Sequence, residues 1–159
     1  MSPRAAWRLE SLGFGQVYDY VSGKVDWLAR GFPTEGRDAG KPTAGRLAQR
    51  DVATCALDET VRDAGERAQG SGGVCVVVNA ERVVLGLLRE RELAASDETR
   101  VSDAMRPGPS TFRPHVAIAE MADYLTKHDL ASVPITSSDG RLVGVLFRDV
   151  AVHAAQGGS

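Results

Sequence analysis

The stretch Ala131–Val150, ASVPITSSDGRLVGVLFRDV, decides the fold. It divides into an apolar run from Val133 to Thr136, a turn at Ser138-Asp139-Gly140, and a second apolar run from Leu142 to Phe147. Asp-Gly between β-branched and aliphatic runs signals a β-hairpin, since these residues accept the positive φ that tight hairpin turns demand. The chain carries the pattern twice. In residues 72–94, GGVCVVVNAERVVLGLLRERELA, Cys75 to Val78 make the first strand, Asn79-Ala80-Glu81-Arg82 the turn, and Val83 to Leu88 the second strand. Gly86 and Gly144 lie 58 residues apart, as do Val77 and Ile135. Each hairpin follows a helical pattern and leads into another, so the repeated unit is strand, helix, strand, strand, helix. An α/β (α+β) fold built from two such units is expected.

In the first copy, residues 46–100, Asp51 to Cys55 read as a short strand and Asp58 as the N-cap of a helix with Val61, Ala64 and Ala68 on its apolar face. Gly70 to Gly73 stop that helix, the Cys75 hairpin follows, and Arg89 to Ala95 form a short helix. In the second copy, residues 101–154, Ser110-Thr111-Phe112 are expected as the strand. A helix follows from about Val116 to His128, with Ile118, Met121, Ala122 and Leu125 as its core stripe, and a last helix opens at Arg148. Residues 155–159 read as a disordered tail.

With 159 residues, 43% hydrophobic and 25% charged, the chain has the make-up of a globular domain with an appendage. A net charge of −2 gives no electrostatic case for nucleic acid or a membrane surface as partner. No apolar run approaches the roughly 20 residues of a membrane-spanning helix, and MSPRAAWRLE lacks the order of a secretory signal; a cytoplasmic protein is expected. Cys55 and Cys75 match no zinc spacing. Cys75 reads as a small buried hydrophobe, while Cys55, at a strand end, is expected to be more open to solvent. The three histidines are not at metal-ligand spacing, so no metal and no required cofactor are expected.

Residues 1–36 are different in kind. Ser2-Pro3 open a helix that Gly13 closes, Phe14 to Val21 alternate like a strand, and Lys24 to Arg30 allow another helical turn or two. Trp7, Phe14, Tyr18, Tyr20 and Trp27 crowd into this segment, and residues 37–45 read as a linker after it. RAAWRLESLGFGQVYDYVSGKVDWLARGFPTEG, Arg4 to Gly36, resembles the C-terminal end of a rhodanese (sulfurtransferase) domain through its Leu-Gly-Phe, Val-Tyr-Asp-Tyr, Gly-Lys and Trp-Leu series. That family works through a Cys nucleophile upstream of this helix, and neither cysteine here falls in the matching region. The resemblance therefore implies a remnant or a truncated start rather than an active enzyme, and no catalytic residue is assigned.

The tandem units resemble a pair of CBS domains. The resemblance rests on Thr60-Val61-Arg62-Asp63-Ala64, Val101-Ser102-Asp103-Ala104-Met105, Val133-Pro134-Ile135 and Asp139-Gly140-Arg141-Leu142-Val143-Gly144-Val145-Leu146. It implies two repeats facing each other about a pseudo-twofold axis, with clefts for an adenine nucleotide (AMP, ADP or ATP). It also implies where the ligand sits. Strand residues Cys75, Val76 and Val77, and Val133 and Pro134, would flank the base. In the family a Gly, two apolar residues, a Thr or Ser, two variable residues and an Asp follow the hairpin, with the carboxylate on the ribose. Here Gly86-Leu87-Leu88 leads to Arg89 and Glu92, and Gly144-Val145-Leu146 leads to Phe147 and Asp149. Arg89 is suited to pair a phosphate. Glu92 keeps the register of the Asp, whereas Asp149 comes one residue early, about 100° around a helix. Thr111 completes the candidate set. The function expected is a non-enzymatic regulatory module, acting on a partner or as a homodimer. The alternatives are a ligand-free scaffold whose clefts are filled by its own side chains, and a partner half of a sulfurtransferase.

Overall fold

The computed structural model describes residues 11–13, 27, 35–36 and 40–157. Most of the segment read as rhodanese-like therefore lies outside the described residues. Gly13, read as a helix C-cap, has a φ of 93°. The ordered elements are α1 (Ala44–Leu47), β1 (Ala53–Cys55), α2 (Val61–Gln69), β2 (Cys75–Val78), β3 (Val84–Leu88), α3 (Glu90–Leu93), α4 (Val101–Ala104), β4 (Arg106–Pro107), α5 (Ile118–Lys127), β5 (Ser132–Thr136), β6 (Leu142–Phe147) and α6 (Arg148–Gly157). No described helix is long and apolar enough to cross a membrane.

The first copy makes a four-stranded sheet in the order β1-β2-β3-β4, with β1 parallel to β2 and the remaining pairs antiparallel. In the second copy β5 and β6 form the antiparallel hairpin, and isolated bridges replace the two outer strands: Phe112 pairs with Ile135 in parallel, and Gln49 with Val145 in antiparallel fashion. The expected strand Ser110–Phe112 is thus reduced to one residue, and Pro134 supplies the reason. The N–H of Phe112 donates to Pro134 O at 3.1 Å and its carbonyl accepts from Thr136 N at 2.9 Å. Continuing the parallel ladder upstream would require a donor at residue 134, and proline has none.

The pairing shows how the copies face each other. Val83 bridges Arg141; Leu142 N–H donates to Arg82 O at 2.9 Å, and Val84 N–H donates to Gly140 O at 3.1 Å. Because each of these residues is displaced from its counterpart by 58 positions, the two bonds exchange under a twofold rotation. The pseudo-twofold axis therefore passes through the Val83–Arg141 bridge.

The segment before each copy packs on the other copy. Residues 106 and 107 pair with β3 of the first copy, whereas Gln49 pairs with β6 of the second. Thr43 bridges Ala117, and Ala44 and Gly45, assigned above to a linker, form the buried first turn of α1. At the other end α6 runs on to Gly157, so residues 155–157 are helix rather than tail.

Three apolar clusters result. Val61, Ala64 and Ala68 of α2 are buried, and Ala64 and Ala68 join Ala53, Cys55, Cys75, Val77, Leu88 and Val101 under the first sheet. The α5 stripe of Ile118, Met121, Ala122 and Leu125 joins Ala44, Ala48, Val133, Ile135, Leu146 and Ala151 in the second copy. Val74, Val76 and Leu87 meet Leu142 and Val145 between the copies. Alternate residues of β2 thus face two different cores, which is why the strand reads as a continuous apolar run. The N-cap of α2 is Thr60, whose hydroxyl oxygen accepts from Asp63 N–H at 3.3 Å, and not Asp58.

Candidate functional site

The copies leave a cleft of about 820 Å³ beside α2 and α3, lined by Val61, Arg62, Gly65, Glu66, Gln69, Gly72, Gly73, Val74, Arg89–Arg91, Leu93, Ala94 and Asp97, with Ala131 from the second copy. Its wall on α2 is the stripe Arg62, Gly65, Glu66 and Gln69, spaced as neighbours on one helical face, opposite the buried alanines. Gly65 keeps that wall low: a Cβ there would touch only Leu93 Cδ2, at 4.0 Å. Because its φ is not positive, Gly65→Ala should raise stability by about 0.5–1 kcal/mol through helix propensity. The same methyl narrows the cleft. A higher thermal midpoint is therefore expected in melting experiments, together with weaker binding of any occupant.

Arg89 is the cleft's deepest cation. Its Nη2 donates to Ser132 O, across the copies, at 2.7 Å. Its Nε and the Ser132 hydroxyl are buried with no hydrogen-bond partner among the described residues. Burial, and then the neighbouring Arg106, pull the guanidinium below its ordinary pKa, and Glu92 opposes them. A guanidinium remains charged through such a shift, so a half-buried cation sits between the repeats without an ion-pair partner among the described residues. Arg62, by contrast, is exposed and pairs at 3.5 Å with both Asp97 and Glu98.

Glu92 does not share the large cleft. Its Oε2 accepts the Arg89 backbone N–H at 3.0 Å, capping the start of α3, and the residue lines an adjoining 510 Å³ hollow with Arg91, Ala104, Met105 and Arg106. Sequence register alone placed Arg89 and Glu92 on one ligand; the helix start separates them.

The remaining candidates lie elsewhere. Cys75, Val76, Val77 and Val133 are buried core side chains, Pro134 is a buried strand residue, and none of the five lines the cleft. Thr111 is exposed on the segment before Phe112, away from the cleft. Asp149 is exposed and its Oδ1 accepts Val150 N–H at 2.9 Å. Phe147, the counterpart of Arg89, packs with Val74, Val76, Leu87, Leu142 and Val145, and its ring covers Gly72. A Cβ on Gly72 would lie 2.8 Å from Phe147 Cε1, so the glycine is required both by this contact and by its φ of 66°. Cys55 proves buried, not open, at 3% exposure. Its hydrogen bond with Cys75, and then burial, push its thiol well above the ordinary value.

The sequence reading missed the α2 stripe and Gly72-Gly73. The signal was present as a polar face ending in a Gly pair, but a solvated helix face looks the same until something stands opposite it.

The CBS domain model matches residues 44–97 and 101–153, and the chain belongs to that family. Similar solved structures include CBSX2 in complex with AMP (22% identity, TM-score 0.66, 73% of this chain and 97% of that one). The CBS domains of a transcriptional regulator from Streptococcus pneumoniae match at 21% identity and a TM-score of 0.64, covering 70% of this chain and 97% of that one. The cytosolic domain of the Mg2+ channel MgtE in complex with ATP matches at 24% identity and a TM-score of 0.64, over 70% of this chain. The chain spans about half of that domain, 48%. These likenesses establish the fold: a mixed α+β CBS pair. No curated protein matches the chain in sequence.

Proposed function

We propose that the chain is a non-enzymatic regulatory module that binds an adenine nucleotide in the cleft between its two CBS repeats, and acts on a partner or as a homodimer. The observation that carries this reading is the half-buried Arg89, without a counter-ion among the described residues, on the wall of an 820 Å³ cleft to which both copies contribute. A cleft of that volume suits a nucleotide-sized ligand. That CBS pairs of the same fold have been solved with ATP and with AMP supports it. Thermal denaturation with adenosine, AMP, ADP, ATP and GTP, each at millimolar concentration, tests the reading. A ligand at 100 times its Kd adds about 2.7 kcal/mol to stability, a rise of several degrees in Tm at this size. No shift with any adenine compound refutes it.

A second reading, a scaffold without ligand, draws on Phe147 over Gly72 and on the Arg89–Ser132 bond, in which the chain's own groups occupy the repeat interface. Residues 4–36 are proposed as a rhodanese-like fragment that docks on the pair or on a second chain through its aromatic residues.

A further inference from the structure

We propose that this cleft takes one nucleoside monophosphate per chain, held by its phosphate on Arg89, and that the pseudo-equivalent position of the second copy holds no anion. The proposal rests on the nucleotide-binding reading above and specifies the ligand's charge, its anchor and its stoichiometry.

The argument begins with charge. Arg89 is half-buried and forms no ion pair among the described residues; its hydrogen bond goes to a neutral carbonyl, Ser132 O. Glu92, the acid whose charge acts on it, spends Oε2 on a backbone N–H. A desolvated cation in that state gains most from an anion that enters the cleft and forms charge-assisted bonds with it. Two further donors at the same contact, Arg89 Nε and Ser132 Oγ, have no partner among the described residues. A phosphate offers acceptor oxygens for several such donors, whereas an uncharged nucleoside offers no charge at all.

The rim limits how much negative charge is welcome. Glu66, Glu90 and Asp97 line the cleft, and Arg62 already engages Asp97. Arg62, which also lines the cleft, is held by Asp97 and Glu98, and Arg91 shares the lining with two further carboxylates, Glu66 and Glu90. The second and third phosphates of a triphosphate would extend among these acids, so the monophosphate is the better match.

The repeat then breaks its own symmetry. Fifty-eight residues on from Arg89 stands Phe147, whose ring is committed to the apolar cluster and to Gly72. That position offers no cation and no donor, and Arg148 beside it pairs with Asp129 at 2.8 Å. One phosphate anchor per chain is what remains. Because Arg89 also holds the carbonyl of Ser132 in the other repeat, a phosphate on this guanidinium acts directly on the contact between the copies.

Calorimetric titration of the full chain with AMP, ATP, adenosine and inorganic phosphate tests the proposal. AMP is expected to bind at one per chain, tighter than ATP and about 10-fold or more tighter than adenosine, the gain from charge-assisted hydrogen bonding. Arg89→Gln should bring AMP down to the affinity of adenosine, and Arg89→Lys should restore part of the loss. Should Arg89→Gln fail to fold, Glu66→Gln with Glu90→Gln, both on the exposed rim, must narrow the AMP-over-ATP preference several-fold. Unchanged AMP affinity in Arg89→Gln, two AMP per chain, or ATP tighter than AMP overturns the proposal while leaving nucleotide binding intact. Binding of none of the adenine compounds removes both readings together.

Discussion

Gly144→Ala is expected to destabilise the protein by about 3 kcal/mol, through overpacking and disturbed backbone pairing. A Cβ at residue 144 would stand 2.5 Å from Gln49 O and 3.0 Å from Gln49 C, with Ala48 Cβ at 3.2 Å. The obstacle is backbone that cannot move aside. Gln49 and Val145 exchange both their hydrogen bonds, at 2.8 and 2.9 Å, so displacing the Gln49 peptide breaks the bridge that closes the second copy. Its counterpart Gly86 faces the Met105 side chain, with Arg106 O at 3.1 Å. A thioether can swing away, so Gly86→Ala should cost about 1 kcal/mol. Melting curves of the two variants would differ by several degrees, with Gly144→Ala the lower. Equal shifts would show that the Gln49 segment yields as readily as a methionine side chain.

Removal of residues 1–50 is expected to abolish cooperative folding of the second copy, although every residue of that copy remains. Pro42 O accepts Ile118 N–H at 3.2 Å, Ala44 N–H donates to Val116 O at 2.9 Å, and Gly45 N–H donates to Pro114 O at 2.9 Å. The Gln49–Val145 pair adds two bonds, and Ala44 and Ala48 fill the core around Met121 and Leu125. At about 1 kcal/mol per hydrogen bond, the loss of these five alone approaches the lower end of a domain's total stability. Buried alanine surface adds to it. A chain starting at Gly40 keeps all of these contacts and is the control. Circular dichroism and urea denaturation of the two truncations would test this; a sharp, native-like transition in the chain starting at Asp51 would refute it.

These two effects explain what the repeat encodes. Gly86 and Gly144 stand out in the sequence because they recur at one spacing, and both lie where an incoming segment crosses a hairpin too closely for a side chain. The hairpins, the α2 face and the α5 stripe were legible because each is set by local rules: a turn that needs positive φ, met by Gly140 at 82°, and a helical period that aligns Ile118, Met121, Ala122 and Leu125. The CBS pair followed from their order.

Three things were not legible, for one reason. The first-copy strand survives as β1, while its equivalent at Ser110–Phe112 shrinks to a bridge, because Pro134, 22 residues away from Phe112, withholds a donor. Residues 43–45 looked like the end of a linker because their partners, at 114–117, are remote in the chain. Arg89 and Glu92 looked like one ligand site, yet the turn into α3 directs Glu92 to a backbone N–H and leaves Arg89 on the cleft. The sequence by itself determined the elements, the repeat and the family. The tertiary structure decided which copy's edge closes which core, and that the cation at residue 89 and the phenyl ring at residue 147 occupy equivalent places with different consequences. Local propensity acts over a few residues, whereas burial and pairing join groups tens of residues apart, and only the second kind of interaction makes a cleft.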